Sequence, residues 1–187
     1  MPVVTCKLLT YKGQYSTCQI KVPDIDTKLS AVKIDSRYYS LFRRFDDAES
    51  AMTALNRLTQ TGNDEMALTN LDNGRYVMWA LELEAQAFKG RRQQEPQWPT
   101  HGPASCLILG NAKQYNQCYV KVPDLAQPLV AVQCDDRFYS VYQPGMEAQA
   151  ALELAAQFAG RGNDSAIAAT AKGYAVCLWE PEATPQT

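Results

Sequence analysis

Polar and apolar residues alternate with a period of two in the segment that follows Tyr15. Cys18, Ile20 and Val22 form an apolar row, and a polar residue stands between each pair. This spacing is typical of a β-strand with one buried side and one wetter side. The apolar segment CKLLTY precedes it across the short polar stretch KGQ. Together they predict a β-hairpin that turns at Lys12-Gly13.

A helical spacing of apolar residues occurs once in each half of the chain. It predicts one amphipathic helix per half, each with a single apolar stripe. Asp46 and Asp47 precede the first helix as N-cap candidates, and Gly62 is placed to cap its C-terminus. The stripes contain Ala48, Met52, Leu55 and Leu58 in the first helix, and Ala148, Leu152, Ala155 and Phe158 in the second.

Further segments have the alternating or short apolar pattern of strands. In the first half they are LSAVKID, RYYSLFRRF, EMALTNL and RYVMWALEL. The last segment is apolar on both faces, which favours a central position in a sheet or a position at an interface. With the hairpin, each half is predicted to contain about six strands.

One stretch of the chain is present twice. QYSTCQIKVPD, at residues 14–24, returns as QYNQCYVKVPD at residues 114–124. Matches continue at the same spacing of 100 residues from Cys6 to Asp64, which matches Asp164, and the spacing falls to 98 where Tyr76 matches Tyr174. Such a repeat indicates duplication of a unit of about 80 residues.

The repeat also predicts the domain organisation. Residues 1–85 form a first α+β repeat, 86–104 a linker rich in Pro, Gln and Arg, 105–183 a second α+β repeat, and 184–187 a disordered tail. The predicted fold class is therefore α+β, a tandem duplication of two hairpin-rich antiparallel sheets with one helix each. Units of this size fold alone only marginally, so we expect the two to pack together about a pseudo-two-fold axis.

Composition narrows the class of protein. Hydrophobic residues make up 46% and charged residues 20%, which excludes a disordered chain for the bulk of the sequence. The net charge of -2 and the pI of about 5.4 disfavour nucleic-acid binding, which usually needs a basic surplus. No signal peptide or long apolar run is present, so we expect a soluble cytoplasmic protein without a membrane partner.

The six cysteines allow two interpretations. If the hairpin loop centres on Lys12, then Cys6 faces Cys18 and Cys106 faces Cys118, and each pair is a candidate disulfide or thiol switch. If the loop is Lys12-Gly13 alone, the members of each pair point to opposite faces. The other interpretation is that the thiols are small core residues, because Cys134 and Cys177 replace Ile34 and Trp79 in the repeat.

Motifs that carry catalysis are missing from the sequence. It contains no P-loop, no G-x-G-x-x-G, no G-x-S-x-G and no C-x-x-C, and its one histidine, His101, lies in the linker. The carboxylates Glu82/Glu84 and Glu180/Glu182 are interpreted as solvated strand ends. We therefore expect no enzyme activity, no cofactor and no metal site.

Polar residues that recur in both halves are the candidates for partner binding, because core packing does not require polar identity. Exposed aromatic and arginine residues are favoured at protein interfaces. The alternative is a structural role, with Asp35 and Arg37 shaping a turn and Asp24 capping the chain after Pro23. The candidates are Tyr15, Lys21, Arg37 and Tyr39, with Tyr115, Lys121, Arg137 and Tyr139 in the second half.

Three functions remain. The first is a non-catalytic binding, assembly or regulatory protein whose two modules present a repeated polar and aromatic surface to a protein partner. The second is an RNA- or DNA-binding protein that stacks bases on sheet aromatics such as Tyr38, Tyr39 and Phe42 beside Arg and Lys. The third is a redox sensor that works through the hairpin cysteines.

Overall fold

A computed structural model of the chain describes residues 3–10, 12–62, 65–71, 73–88 and 103–186. Within these ranges fourteen strands form one mixed sheet, and two α-helices complete an α+β fold. The first half contains β1 (Val4–Leu9), β2 (Ser16–Val22), β3 (Ile25–Ile34), β4 (Arg37–Phe45), α1 (Ala48–Leu58), β5 (Glu65–Leu71), β6 (Arg75–Glu82) and β7 (Gln86–Ala87). The second contains β8 (Ser105–Leu109), β9 (Asn116–Lys121), β10 (Leu129–Cys134), β11 (Arg137–Met146), α2 (Ala148–Gly160), β12 (Ser165–Thr170), β13 (Gly173–Trp179) and β14 (Thr184–Pro185).

The strand order is the same when it is read inward from either edge. From one edge it runs β7-β2-β3-β4-β6-β5-β1, and from the other β14-β9-β10-β11-β13-β12-β8. The halves meet where β1 pairs antiparallel with β8, with Cys6 opposite Cys106. β1 pairs in parallel with β5, and β8 with β12. The expectation of a purely antiparallel sheet is therefore wrong at these two pairs.

The predicted hairpin of β1 and β2 is wrong. β1 pairs with β5 and β8, whereas β2 pairs with β3 and β7. Leu8 and Leu9 point to opposite faces of β1 and both are buried, a pattern that suits the centre of a sheet. β2 carries exposed Thr17, Gln19 and Lys21 on one face and lies near the edge, where that face stays in water.

Both helices pack on one face of the sheet and against each other. They share a core with the inward side chains of the central strands, among them Val4, Cys6 and Ile108. α1 begins after Asp47, whose Oδ1 accepts a hydrogen bond from the Ser50 N–H at 2.7 Å, so the predicted N-cap is confirmed. The helix ends at Leu58 with Thr59 as its C-cap, and the prediction of Gly62 as the cap is wrong.

The opposite face of the sheet carries two smaller apolar clusters, one per half, and no described helix covers them. The sheet covers them itself by curling. β6 ends at Glu82 and β7 begins at Gln86, yet β4, β3 and β2 lie between these strands. In a flat sheet β6 and β7 would be about 19 Å apart, and four extended residues span about 14 Å at most. The strands of each half must therefore curve around their own cluster.

Two short edge strands lie in segments that the sequence pattern assigned to the linker and the tail. Gln86–Ala87 pair with β2 as β7, and Thr184–Pro185 pair with β9 as β14. Residues 89–102 of the predicted linker lie outside the described residues. No helix in the described part of the chain is long and apolar enough to cross a membrane.

Candidate functional site

The predicted partner-binding residues separate into exposed cations and mostly buried tyrosines. Tyr39 and Tyr139 are only 1% and 3% exposed, and Tyr115 is buried with its hydroxyl donating to the Ala169 carbonyl at 3.0 Å. The tyrosines therefore belong largely to the apolar clusters of the curled face, and the cations remain available at the surface. The exposed members of the set are Lys21, Arg37, Lys121 and Arg137.

Arg37 and Tyr39 converge on one carboxylate in the first half. They stand two residues apart on β4, so their side chains share a face, and β5 brings Glu65 to the same place. Arg37 Nη1 lies 2.5 Å from Glu65 Oε2, and the Tyr39 hydroxyl donates to Glu65 Oε1 at 2.5 Å. Burial, followed by the bond to Glu65, raises the pKa of Tyr39, so the phenol stays a neutral donor.

Arg137, Tyr139 and Asp164 form the matching group in the second half. Asp164 comes directly before Ser165, which pairs with Cys106, just as Glu65 directly precedes the partner of Cys6. The shorter Asp164 side chain accepts a hydrogen bond from the Ser105 N–H at 2.9 Å instead of pairing with the arginine. Arg137 lies over the Trp179 ring at 5.5 Å, a cation–π contact. The structure gives Arg137 no ion pair with any described residue.

The two arginine groups lie on one face but at opposite ends of the central strands. β5 and β12 start beside Arg37 and Arg137, and each is parallel to its neighbour β1 or β8. Glu65 pairs with Thr5 and Ser165 pairs with Cys106, so β5 and β12 begin in neighbouring rows at the junction of the halves. Because β1 and β8 are antiparallel, β5 and β12 run in opposite directions from there, and Arg37 and Arg137 lie towards opposite ends of β1 and β8. The groups therefore form two separated sites and not one continuous groove.

Lys21 and Lys121 lie at the two outer edges of the sheet. Lys21 pairs with Gln86 of β7, and Lys121 pairs with Thr184 of β14. The Lys21 ammonium is 5.7 Å from the Phe88 ring, and the Lys28 ammonium is 3.5 Å from it. One strand, β3 or β10, therefore separates the strand of each lysine from the strand of the arginine with which the repeat grouped it.

Two of the carboxylates interpreted as solvated strand ends are hydrogen bonded inside the fold. Glu82 Oε1 accepts a 2.6 Å bond from the Ser40 hydroxyl, and Glu180 Oε1 accepts a 2.6 Å bond from the Ser140 hydroxyl. Both serines are buried. These identical pairs join β4 to β6 and β11 to β13, so Glu82 and Glu180 hold strands together.

An open cleft of ≈ 870 Å³ lies between the starts of the two helices and the β12–β13 turn. Acidic Asp47, Glu49 and Glu147 line it, opposed by Lys172. Tyr174 lies in the lining and its hydroxyl donates to Glu49 Oε1 at 3.3 Å. Sequence reasoning missed this cleft, because only the packing of the halves brings these distant segments together.

The cysteines lie apart from these groups. All six are free thiols; Cys6, Cys106, Cys134 and Cys177 are buried, whereas Cys18 and Cys118 are partly exposed. Cys18 lies opposite Ala31 and Cys118 opposite Ala131, so neither faces the cysteine with which the predicted hairpin paired it. Burial raises the pKa of all six, to about 12 for Cys106 and Cys177.

Metal ligands do not cluster in the described part of the chain, where no group of three or more His, Cys, Asp or Glu side chains could hold an ion. His101 lies outside the described residues. Comparison with known proteins adds no relative: no family model, curated protein or solved structure matches this chain.

Proposed function

We propose that the chain is a non-catalytic binding or assembly protein that engages a protein partner through its two arginine groups. One observation carries the proposal: Arg37 and Arg137 are both exposed, at equivalent strand positions, above a buried tyrosine. A guanidinium held on a rigid strand presents its donors in a fixed direction, which suits bidentate binding of carboxylates. The partner surface is accordingly acidic.

The presence of two such groups implies a partner with two similar binding surfaces. The mirrored strand order and the matching burial of residues 21–40 and 121–140 support an origin by duplication. Sites at opposite ends of the central strands suit a two-fold symmetric partner or two copies of one partner. Arg137 forms no ion pair with the described residues and is expected to contribute more than Arg37, which must leave Glu65.

We also assign the protein to the cytoplasm. Six free thiols are typical of a reducing compartment, where disulfides rarely persist.

Affinity enrichment from native lysate tests the proposal with matched arginine variants. Wild-type protein, Arg37→Gln, Arg137→Gln and the double variant are compared by quantitative mass spectrometry, with Arg161→Gln as the control because Arg161 is exposed at the end of α2. We expect at least one protein whose recovery falls in each single variant and falls furthest in the double variant. Recovery that is equal in all five samples would contradict the proposal.

A low-salt gel shift with single-stranded RNA distinguishes the nucleic-acid alternative. The alternative is supported if the wild type retards the RNA while the double variant does not, and the enrichment contains no arginine-dependent protein. This combination of results would assign the two arginine groups to RNA binding instead of protein binding.

A further inference from the structure

Within the described residues, strand β4 is paired on only one side over its second half. β6 pairs with β4 from Tyr38 to Phe45, but β3 pairs with it only from Arg37 to Ser40. The remaining part of β3, from Ile25 to Ser30, pairs only with β2. Toward the part of the chain that the structure describes, the outer edge of Leu41–Phe45 therefore has unpaired backbone N–H and C=O groups, the usual requirement for strand addition.

The side chains along this edge are apolar and cationic. Leu41 is 38% exposed and Phe42 is 52% exposed. Arg43 and Arg44 follow and are both exposed; Arg43 lies 5.5 Å from the Phe45 ring. Neither arginine forms an ion pair with any described residue. Two neighbouring cations repel a basic strand and attract an acidic one.

The matching segment of the other half has the same one-sided pairing but is closed to addition. β10 pairs with β11 only from Arg137 to Ser140, and beyond that point β11 pairs with β13 alone. Pro144 has no N–H, and Gly145 at φ +70° lies in a register shift between Gln143 and Met146. Proline and bulges of this kind are the means by which proteins block exposed edges. β4 shares the first register shift of β11, between Leu41 and Arg43, but it lacks the second one and contains neither proline nor glycine, so Arg43–Phe45 pair with β6 without interruption.

We propose that the outer edge of β4, at Leu41–Phe45, binds an extended acidic segment of a partner protein by strand addition. Backbone hydrogen bonds to β4 supply the pairing, apolar side chains of the segment pack on Leu41 and Phe42, and its carboxylates meet Arg43 and Arg44. The inference shares with the proposed function only that the partner is a protein. Its surface is a different one, in the first half alone.

RNA is the weaker occupant of this surface. The main-chain donors and acceptors of a strand edge repeat at strand spacing, which matches a peptide backbone and not a phosphate chain. RNA would use Phe42 and the two arginines and leave the edge groups unpaired.

Selection of peptides tests the inference without a known partner. A displayed library of random ten-residue peptides is selected on the full-length protein, and the best peptide is measured by fluorescence anisotropy. We expect enrichment of Asp and Glu in alternation with β-branched residues. The Arg43→Glu/Arg44→Glu variant should bind the selected peptide at least about tenfold more weakly, and amide NMR signals of residues 41–45 should shift on binding.

Three variants separate the outcomes. Arg44→Pro copies the proline of the closed edge and should abolish binding, with thermal unfolding to show that it is folded. Gln143→Glu places a charge on the closed edge and should leave binding unchanged. Arg37→Gln/Arg137→Gln should also bind the peptide normally. A defect in the two arginine groups can therefore be distinguished from a defect at the edge of β4.

Several results would overturn the inference. They are a selection without enriched peptides, peptides that bind the Arg43→Glu/Arg44→Glu and Arg44→Pro variants as tightly as wild type, and NMR shifts outside β4. Arginine-dependent binding of a fluorescein-labelled oligouridine, with no peptide enriched, would assign the surface to RNA instead.

Discussion

Cys6 and Cys106 face each other across the junction of the two halves, and neither has exposed surface. Burial disfavours a thiolate, because the charged form loses its hydration. The pKa of Cys6 is therefore raised well above its ordinary value, and that of Cys106 is raised to about 12. Cys134 and Cys177 are 5% and 0% exposed, in agreement with their interpretation as core residues. Packing therefore suppresses the ionisation of these four buried thiols.

Alkaline pH should destabilise the fold through the buried thiols. Cys106 and Cys177 have an ordinary pKa of 9.0 and a folded pKa of about 12, so their stabilising effect is complete below pH 9 and is lost as pH rises towards 12. Compared with Cys106→Ala/Cys177→Ala, the wild type should lose about 1.4 kcal/mol per pH unit for each thiol. Urea unfolding from pH 8 to 11 measures this difference, and parallel curves for the two proteins would contradict it.

The spacing of residues in the sequence predicted two of the three members of each arginine group. Arg37 and Tyr39 share a strand, and a period of two places them on one face. Glu65 was missed because it is 28 residues away and reaches them only when β5 enters the sheet. The sequence match had also aligned Asp164 with Asp64, whereas the strand register places it at the position of Glu65.

At the scale of elements, the two helices are related in sequence but begin differently. Asp47 caps α1 by accepting the Ser50 N–H, whereas Glu147 precedes α2 without a side-chain cap. The same hydrogen bond lowers the pKa of Asp47, since it favours the carboxylate. α2 relies more on burial, with seven buried residues against four in α1.

Removal of the Asp47 cap should destabilise the protein, and removal of Glu147 should have little effect. Asp47→Ala leaves the Ser50 N–H without its partner, while Glu147→Ala removes no hydrogen bond. Because the folded pKa of Asp47 is lowered, its contribution is present above its ordinary pKa of 3.8 and is lost as pH falls through the folded value. Urea unfolding at pH 7 and pH 3 measures both effects. Equal losses in the two variants at pH 7 would contradict the assignment.

The pairing of elements depended on burial more than on chain proximity. β1 and β2 are neighbours in sequence and form no pair, because β1 has buried apolar side chains on both faces, Leu8 on one and Leu9 on the other, and lies at the centre of the sheet.

At the scale of the whole molecule, one core joins the halves. Both helices and both central strands contribute to a single cluster, and Gly110 of the second half packs against Thr59 and Asn56 at the end of α1. Gln114 Nε2 also donates to the Thr59 carbonyl at 3.3 Å. Shared burial of this kind couples the stability of one half to that of the other.

A core mutation in the first half should therefore unfold the second half as well. Leu55 is fully buried in α1, and Leu55→Ala should cost about 2–5 kcal/mol. Trp79 reports on the first half and Trp179 on the second, so each is kept as the sole tryptophan, with the other two replaced by Phe. Both fluorescence transitions should move together, and Leu83→Ala, at an 85% exposed position, should move neither. A shift confined to Trp79 would show that the halves unfold independently.

The sequence by itself determined the α+β class, most of the strands, both helix stripes and the first helix cap, because each of these depends on local periodicity and local hydrogen bonds. Tertiary structure alone decided which strands are neighbours, that β1 and β8 join the halves, and which carboxylate meets which arginine. Those choices depend on burial shared between segments far apart in the chain, and a residue's own neighbours in sequence do not encode them. The contrast between the open edge of β4 and the closed edge of β11 arises in the same way: Pro144 is visible in the sequence, but the sheet register shows what it blocks.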